Sequence, residues 1–201
     1  MVKLDRSFYL KDTVTVARQL LGKLLVHEVE GKRISGVIVE TEAYLGTEDR
    51  AAHSFGGRRT LRNEAMYNLG GHAYVYFIYG MYYCFNVVTG QEGVPEAVLV
   101  RALEPVEGLD FMAAARYKKN YATLSTRQKI NLTNGPGKLC MALTIDRSLN
   151  GEDLCGSQIY IEDRNETLDI CSSKRIGIDY AGDARDLLLR FYIQKNKYVS
   201  K

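Results

Sequence analysis

Hydrophobic and polar positions change period several times along the chain, and each change predicts an element. "DTVTVARQLLG" reads as a first helix, with Asp12 or Thr13 as N-cap and Gly22 as its stop. "KLLVHEV" and "RISGVIVETEAY" read as strands on either side of the turn-prone "EGK". "HAYVYFIYGMYYCFNVV" predicts a β-hairpin turning at Tyr79-Gly80, because glycine takes positive φ without steric cost. "EAVLVRALEP" predicts a strand that hands the chain at Pro105 to the helix-like "VEGLDFMAAARYKK". A helical "GPGKLCMALTI" follows, then short late strands near "QIYIED", "RIGID" and "LRFYI". Strands dominate and helices are inserted irregularly, which favours an α+β domain over a doubly wound parallel sheet. The expected architecture is a single mixed domain over residues 1–201, with a curved, mainly antiparallel β-sheet, a protruding β-hairpin and surrounding helices.

One strand carries unusual chemistry. In "IVETEAY", period-2 alternation puts Ile38, Glu40 and Glu42 on one face and Val37, Val39 and Thr41 on the other. Two carboxylates then stand at the exit of an apolar run. Two accounts stay open here. In one, a dry carboxylate gains the raised basicity that a general base needs; in the other, the strand simply runs out into solvent. Thr47, Glu48 and Asp49 resemble an N-cap with first-turn acids, predicting a short helix that ends near His53 and acids without a catalytic task.

Composition narrows the class. At 46% hydrophobic and 25% charged, 201 residues supply one substantial core without requiring a second domain. No apolar run approaches the roughly 20 residues of a membrane span, and the N-terminus lacks a segment of signal-peptide type, so a soluble intracellular protein is expected, in cytoplasm, nucleoid or nucleus. Cys84, Cys140, Cys155 and Cys171 are scattered without a C-x-x-C pair and only three histidines are present, which points to reduced thiols and to no metal site.

Net charge is only +3, but it is segregated. Residues 50–63 hold Arg50, Arg58, Arg59 and Arg62 with no acid, and residues 111–145 hold Arg116, Lys118, Lys119, Arg127, Lys129 and Lys138, again with none. These windows either form a face for a polyanion or solvate two loops, since the sequence does not show that they meet. Residues 65–91 carry no charged side chain, yet contain six of the fourteen tyrosines. Tyrosine's flat face and polar tip suit base stacking as well as core packing. Tyr79 at a hairpin tip is an expensive group to leave in water, and such a tip can act as a wedge between stacked bases.

"VETEAYLG", "AAHS", "GGRRT.RN", "YVYFIYGMYYCFN", "VLVRALEP", "GPGKLC", "RIGIDYAG" and "LRFY" occur in this order from about residue 8 to residue 193. Together they resemble the alkyladenine (3-methyladenine) DNA glycosylase family. The resemblance implies a single-domain mixed α/β enzyme that excises alkylated purines, and in some members hypoxanthine, leaving an abasic site. By position, Glu42 matches the family's general base, and Arg101 a basic residue near the catalytic water and phosphate. Tyr44 and Tyr76 match aromatics that stack on a flipped base, with His53 opposing them. Asn86 matches a pocket residue placed to clash with the guanine exocyclic amine, and Tyr79 the residue that enters the minor groove. Phe55 departs from the more polar residue of some members, which bears on lesion breadth and local DNA contacts.

The residues themselves fit this chemistry. Cleaving an N-glycosidic bond passes through an oxocarbenium-like state, which a carboxylate beside the sugar stabilises while it deprotonates water. No lysine lies within residues 39–100, so those segments offer no Schiff-base amine, favouring a monofunctional hydrolase. The expected partner is damaged double-stranded DNA, bound by a monomer without cofactor or membrane. Two other classes remain in view. A noncatalytic nucleic-acid-binding module would tolerate loss of Glu42, and a hydrolase of free nucleosides would leave Tyr79 and the basic windows without a task.

Overall fold

The sheet is built outward from one long strand. The computed structural model describes residues 2–164 and 166–200. Its strands are β1 Val2–Lys3, β2 Leu24–Val29, β3 Lys32–Tyr44, β4 Ala73–Ile78, β5 Tyr82–Thr89, β6 Glu96–Glu107, β7 Ile159–Asp163, β8 Ile170–Ser173 and β9 Arg190–Ile193. The α-helices are α1 Arg6–Tyr9, α2 Thr13–Gln19, α3 Leu109–Tyr117, α4 Thr126–Ile130 and α5 Pro136–Ala142. Among the described residues nine strands form one open sheet in the order β1-β7-β2-β3-β6-β5-β4, and its pairings are antiparallel. β3 is long enough to take two partners on one edge: β2 along its first half, then β9 at Glu40 to Glu42, with β8 pairing β9 in turn. The mixed, mainly antiparallel α+β architecture is thus the one the hydrophobic pattern predicts.

The main core lies where α2, α3 and α5 cover one face of the sheet, joining Val16 and Ala17 to Leu25, Ile38, Phe85, Val100 and Met112. Strand alternation sends Val26, Val37 and Val39 to the opposite face, where Tyr160 and Tyr198 cover them. Helix α2 is capped by Asp12, whose carboxylate accepts the Thr15 N–H at 2.9 Å. Pro136 opens α5 at its first turn, where its missing N–H loses no hydrogen bond. Gly137 lets α5 approach the hairpin closely, since a Cβ there would stand 3.0 Å from Tyr82 side-chain atoms.

The hairpin turns at Tyr79 and Gly80, which both take positive φ, 54° and 69°. Ile78 pairs with Tyr82, so the loop between the strands has three residues, Tyr79, Gly80 and Met81. Its distal end stands in solvent, with Phe77 46%, Tyr79 81% and Met81 62% exposed.

Several expectations are corrected. β6 does not stop at Pro105 but continues to Glu107, and α3 starts after Gly108. Pro105 is tolerated because it pairs with Gly36 beside a register shift, where ladder hydrogen bonding is already interrupted. "RIGID" is not a strand; β8 ends at Ser173, and Arg175 is withdrawn into a buried ion pair. The segment after Tyr44 forms a single 3-10 turn, Gly46–Glu48, with no side-chain cap from Thr47. Asp49 turns inward instead, because its carboxylate meets the same Arg175.

Candidate active site

Two one-residue irregularities in neighbouring strands create the charged centre of the site. In the β3–β6 ladder Ile38 pairs with Leu103, Glu40 with Ala102 and Thr41 with Val100, so Val39 and Arg101 are left without Cα partners. A bulge re-aims side chains and shifts the alternation beyond it. Ile38 and Ala43 therefore belong to the main core, and the Thr41 hydroxyl donates to the Ala17 carbonyl of α2 at 2.8 Å. Glu40 and Glu42 face the other way. The simple alternation that grouped Ile38 with the two acids, and Thr41 with Val37 and Val39, fails at this double bulge.

The bulged Arg101 reaches across both acids. Its Nε donates to Glu40 Oε1 at 3.0 Å, and its Nη1 lies 3.3 Å from Glu42 Oε2. Glu40 and Glu42 are each 0% exposed, which rules out a strand end running into solvent. Glu42 is held by three groups: Arg101, the Tyr44 hydroxyl donating to Oε2 at 2.9 Å, and the Ile176 N–H donating to Oε1 at 2.8 Å. Burial pushes the Glu42 carboxyl above its ordinary range, and Arg101, Ile176 and Tyr44 reverse that only in part. For Arg101 burial opposes the charge, yet the two carboxylates outweigh it and keep the guanidinium firmly protonated.

Tyr44, Arg101 and Ile176 also line one cavity of about 330 Å³. This volume falls within the size of small-molecule sites, about 300–1,000 Å³. Glu42 thus stands directly behind the cavity wall. His53, Tyr76, Tyr79 and Asn86 line the same space, so six of the seven residues singled out in the sequence meet there and the seventh backs them.

His53 and Tyr76 meet edge to face, with ring centres 4.6 Å apart at 76°. Nδ1 of His53 is 2.8 Å from the Tyr74 hydroxyl, which fixes the imidazole plane. Burial, followed by Arg62 and Arg58, lowers the His53 pKa to about 4, so the ring is neutral at pH 7. Asn86 is buried and its Nδ2 donates to the Tyr74 carbonyl at 3.0 Å. Both basic windows border the cavity. The Arg62 guanidinium lies 5.6 Å from the centre of the Tyr76 ring, and Pro136 and Gly137, next to Lys138, line the cavity.

Sequence reading missed the groups behind the wall. Arg175 binds both oxygens of Asp49, accepts confinement between the Ala43 and Ala184 carbonyls, and lies 4.8 Å from the centre of the Tyr44 ring. It thereby steadies Tyr44 and its own neighbour Ile176, two of the three partners of Glu42. The motif "RIGIDYAG" was the available signal, but nothing in it reveals Asp49 as the partner. Residues 194–200 fold against the back of the site: Tyr198 and Ser200 are buried, and Ser200 bonds Glu40. Among the described residues the cysteines are free, and no group of His, Cys, Asp or Glu side chains is placed to hold a metal. No helix among them is long and apolar enough to cross a membrane.

This caged acid and arginine behind an aromatic pocket are the equipment of an enzyme, and comparison with known proteins identifies the class as DNA glycosylases. Residues 7–197 match the family model described as methylpurine-DNA glycosylase (MPG). A protein of Desulfitobacterium hafniense strain Y51, named "Putative 3-methyladenine DNA glycosylase", is 59% identical over 201 residues, covering 100% of this chain and 99% of its own. Proteins of the same name from Clostridium acetobutylicum and Clostridium novyi are 58% and 54% identical, with coverage of 98% or more on both sides. The chain belongs to the methylpurine-DNA glycosylase family.

Proposed function

We propose that this protein excises alkylated or deaminated purines, of the 3-methyladenine, 7-methylguanine and hypoxanthine class, from duplex DNA as a monofunctional, monomeric glycosylase. The observation that carries the reading is the Glu42 carboxylate, buried and held by Arg101, Tyr44 and Ile176, all of which line one aromatic cavity. The target nucleotide leaves the stack and its base enters between Tyr44 on one side and the touching pair His53 and Tyr76 on the other, because rings 4.6 Å apart leave no room for a base between them. Flipping favours damaged bases because they are weakly paired. A purine alkylated at N3 or N7 is cationic, and cation–π attraction to such rings is worth about 0.5–2 kcal/mol.

Chemistry then follows from the caged acid. Glu42 takes a proton from a water that attacks C1′ of the sugar, the C1′–N bond breaks, and the purine leaves with the bonding electrons. The negative charge of Glu42 stabilises the oxocarbenium-like state, and Arg101 supplies positive charge for the water and phosphate. Asn86 is placed to clash with the guanine exocyclic amine, which disfavours unmodified guanine more than the cationic, readily released 7-methylguanine, and Tyr79 fills the gap that the flipped nucleotide leaves. Among the described residues no lysine lines the cavity, which supports hydrolysis without a Schiff-base lyase step.

The test is incubation of the purified protein, in chelator, with a duplex bearing one hypoxanthine and with methylated DNA, followed by alkali to reveal abasic sites. Lesion-dependent strand breaks that disappear with Glu42→Gln, while lesion binding persists, are the expected result. Undiminished excision by Glu42→Gln removes Glu42 as the base. Tight duplex binding without breaks on either substrate removes the enzymatic reading.

A further inference from the structure

We infer that Ser200 is a positioning residue for excision, acting through Glu40 to hold Arg101 against Glu42; the inference rests on the reading of Glu42 as the base. Glu40 accepts four hydrogen bonds. Two come from Ser200, whose N–H donates to Oε2 at 2.7 Å and whose hydroxyl donates to Oε1 at 2.8 Å. The other two come from Nε of Arg101 at 3.0 Å and Nε of Arg190 at 2.6 Å, both to Oε1. Arg190 also donates from Nη2 to the Ser200 carbonyl at 3.1 Å, clamping the terminal segment to the sheet.

The consequence falls on Arg101. Its three guanidinium nitrogens are divided among three partners: Nε to Glu40, Nη2 to the Ser200 hydroxyl at 3.4 Å, and Nη1 beside Glu42 at 3.3 Å. A guanidinium is a rigid planar fork, so fixing two of its nitrogens fixes the direction of the third. Ser200 touches one of those nitrogens directly and orients the carboxylate that holds another. Tyr198 anchors the segment by packing on the face that carries Val37 and Val39. Without the Ser200 hydroxyl, Glu40 keeps three of its four donors, but Arg101 loses the partner of Nη2 and is held firmly at Nε alone, so its alignment on Glu42 loosens.

Single-turnover excision from a hypoxanthine duplex by Ser200→Ala and Ser200→Thr tests this. Small misplacements of catalytic groups cost up to about 100-fold in rate, and Ser200→Ala is expected to excise roughly tenfold more slowly while binding undamaged duplex as the wild type does. The pH–rate profile gives a readout that a merely structural role would leave in place. Glu42 is faced by Arg101 of β6, Cys84 of β5 and Tyr180, and by Glu40 and Tyr44 of its own strand. Arg101 and Glu40 are the two tied to Ser200, and a relaxed Arg101 holds down the Glu42 carboxyl less. The acid limb of the profile therefore moves to higher pH in Ser200→Ala, and Ser200→Thr, which keeps the hydroxyl, restores both rate and limb. A wild-type rate and profile in Ser200→Ala overturn the inference. So does a slower rate accompanied by equal losses of thermal stability and duplex affinity that Thr does not restore. Glu42→Gln in the same assay separates the two readings: if it still excises, the base assignment fails, whereas if it is inactive and Ser200→Ala is normal, the positioning role alone fails.

Discussion

Arg175 grips Asp49 through two parallel hydrogen bonds, Nη1 to Oδ2 at 2.5 Å and Nη2 to Oδ1 at 2.9 Å, with both side chains sealed from water. Breaking a buried pair by neutralising one partner typically costs about 3–5 kcal/mol, because the other charge is left uncompensated. Asp49→Asn is expected to lower the thermal midpoint strongly. Excision should fall with it, since Arg175 carries Ile176 and the Tyr44 ring, and calorimetry beside a single-turnover assay reads both.

The same pair has a pH signature. Burial raises the Asp49 carboxyl, but hydrogen bonds from Arg175 and from the Leu45 and Ala51 N–H groups outweigh it and hold the group below its ordinary value. A depressed folded value means that the stabilisation is complete above the unfolded pKa of about 3.9 and disappears as pH falls through the folded one. Urea midpoints measured into the acid range should show this loss in the wild type and a shallower one in Asp49→Asn.

Tyr44→Phe keeps the aromatic ring that lines the cavity and removes the hydroxyl that donates to Glu42. A hydrogen bond to a charged group contributes about 1.5–3 kcal/mol, so excision should slow by roughly one to two orders of magnitude. The acid limb of the rate profile should move to higher pH, because the lost donor had lowered the Glu42 carboxyl. An unchanged rate would show that the hydroxyl does not hold the base in its working position.

His53 is buried as a neutral ring, with its pKa lowered to about 4 by burial first and by Arg62 and Arg58 next. The unfolded chain takes up a proton near pH 6.5 and the folded one does not, so stability is complete above that value and declines as pH falls toward the folded pKa. The loss is at most about 3 kcal/mol. Substituting His53→Asn should flatten the stability curve in this window, and imidazole shifts followed by NMR should show no protonation of His53 at pH 6.

Tyr79 occupies the left-handed region, at φ 54°, where asparagine and glycine are more at ease. Tyr79→Asn should therefore stabilise the free protein by a few tenths of a kcal/mol to about 1 kcal/mol. If the exposed ring is the wedge of the proposed mechanism, the same change weakens capture of the flipped nucleotide and slows excision from duplex DNA. Higher thermal stability with undiminished excision would remove the wedge.

Binding to undamaged duplex should weaken steeply with salt, because each phosphate neutralised by the basic windows releases counterions. Removing Arg62, which flanks Tyr76, should reduce the slope of log affinity against log salt by about one. A slope unchanged by Arg62→Ala would place that residue off the DNA.

Much of this protein is determined by sequence pattern alone. Apolar runs locate β2 to β6, though not the bulge inside β3 or the end of β6, and Asp12 caps α2 while Tyr79-Gly80 marks the hairpin turn, because each depends on residues adjacent in the chain. Motifs in a set order likewise single out seven candidate residues, six of which line one cavity while Glu42 stands behind its wall. What only the tertiary structure decides is how those residues are held. The compensating bulges at Val39 and Arg101 arise from the register between two strands, and they turn Glu40, Glu42 and Arg101 to a common face against simple alternation. The Arg175–Asp49 pair spans 126 residues of sequence and the Ser200–Glu40 bonds span 160. Local pattern carries no information about such partners, because a buried charge is satisfied by whichever group the fold delivers to it, and only the folded sheet brings the C-terminal segment against the back of the site.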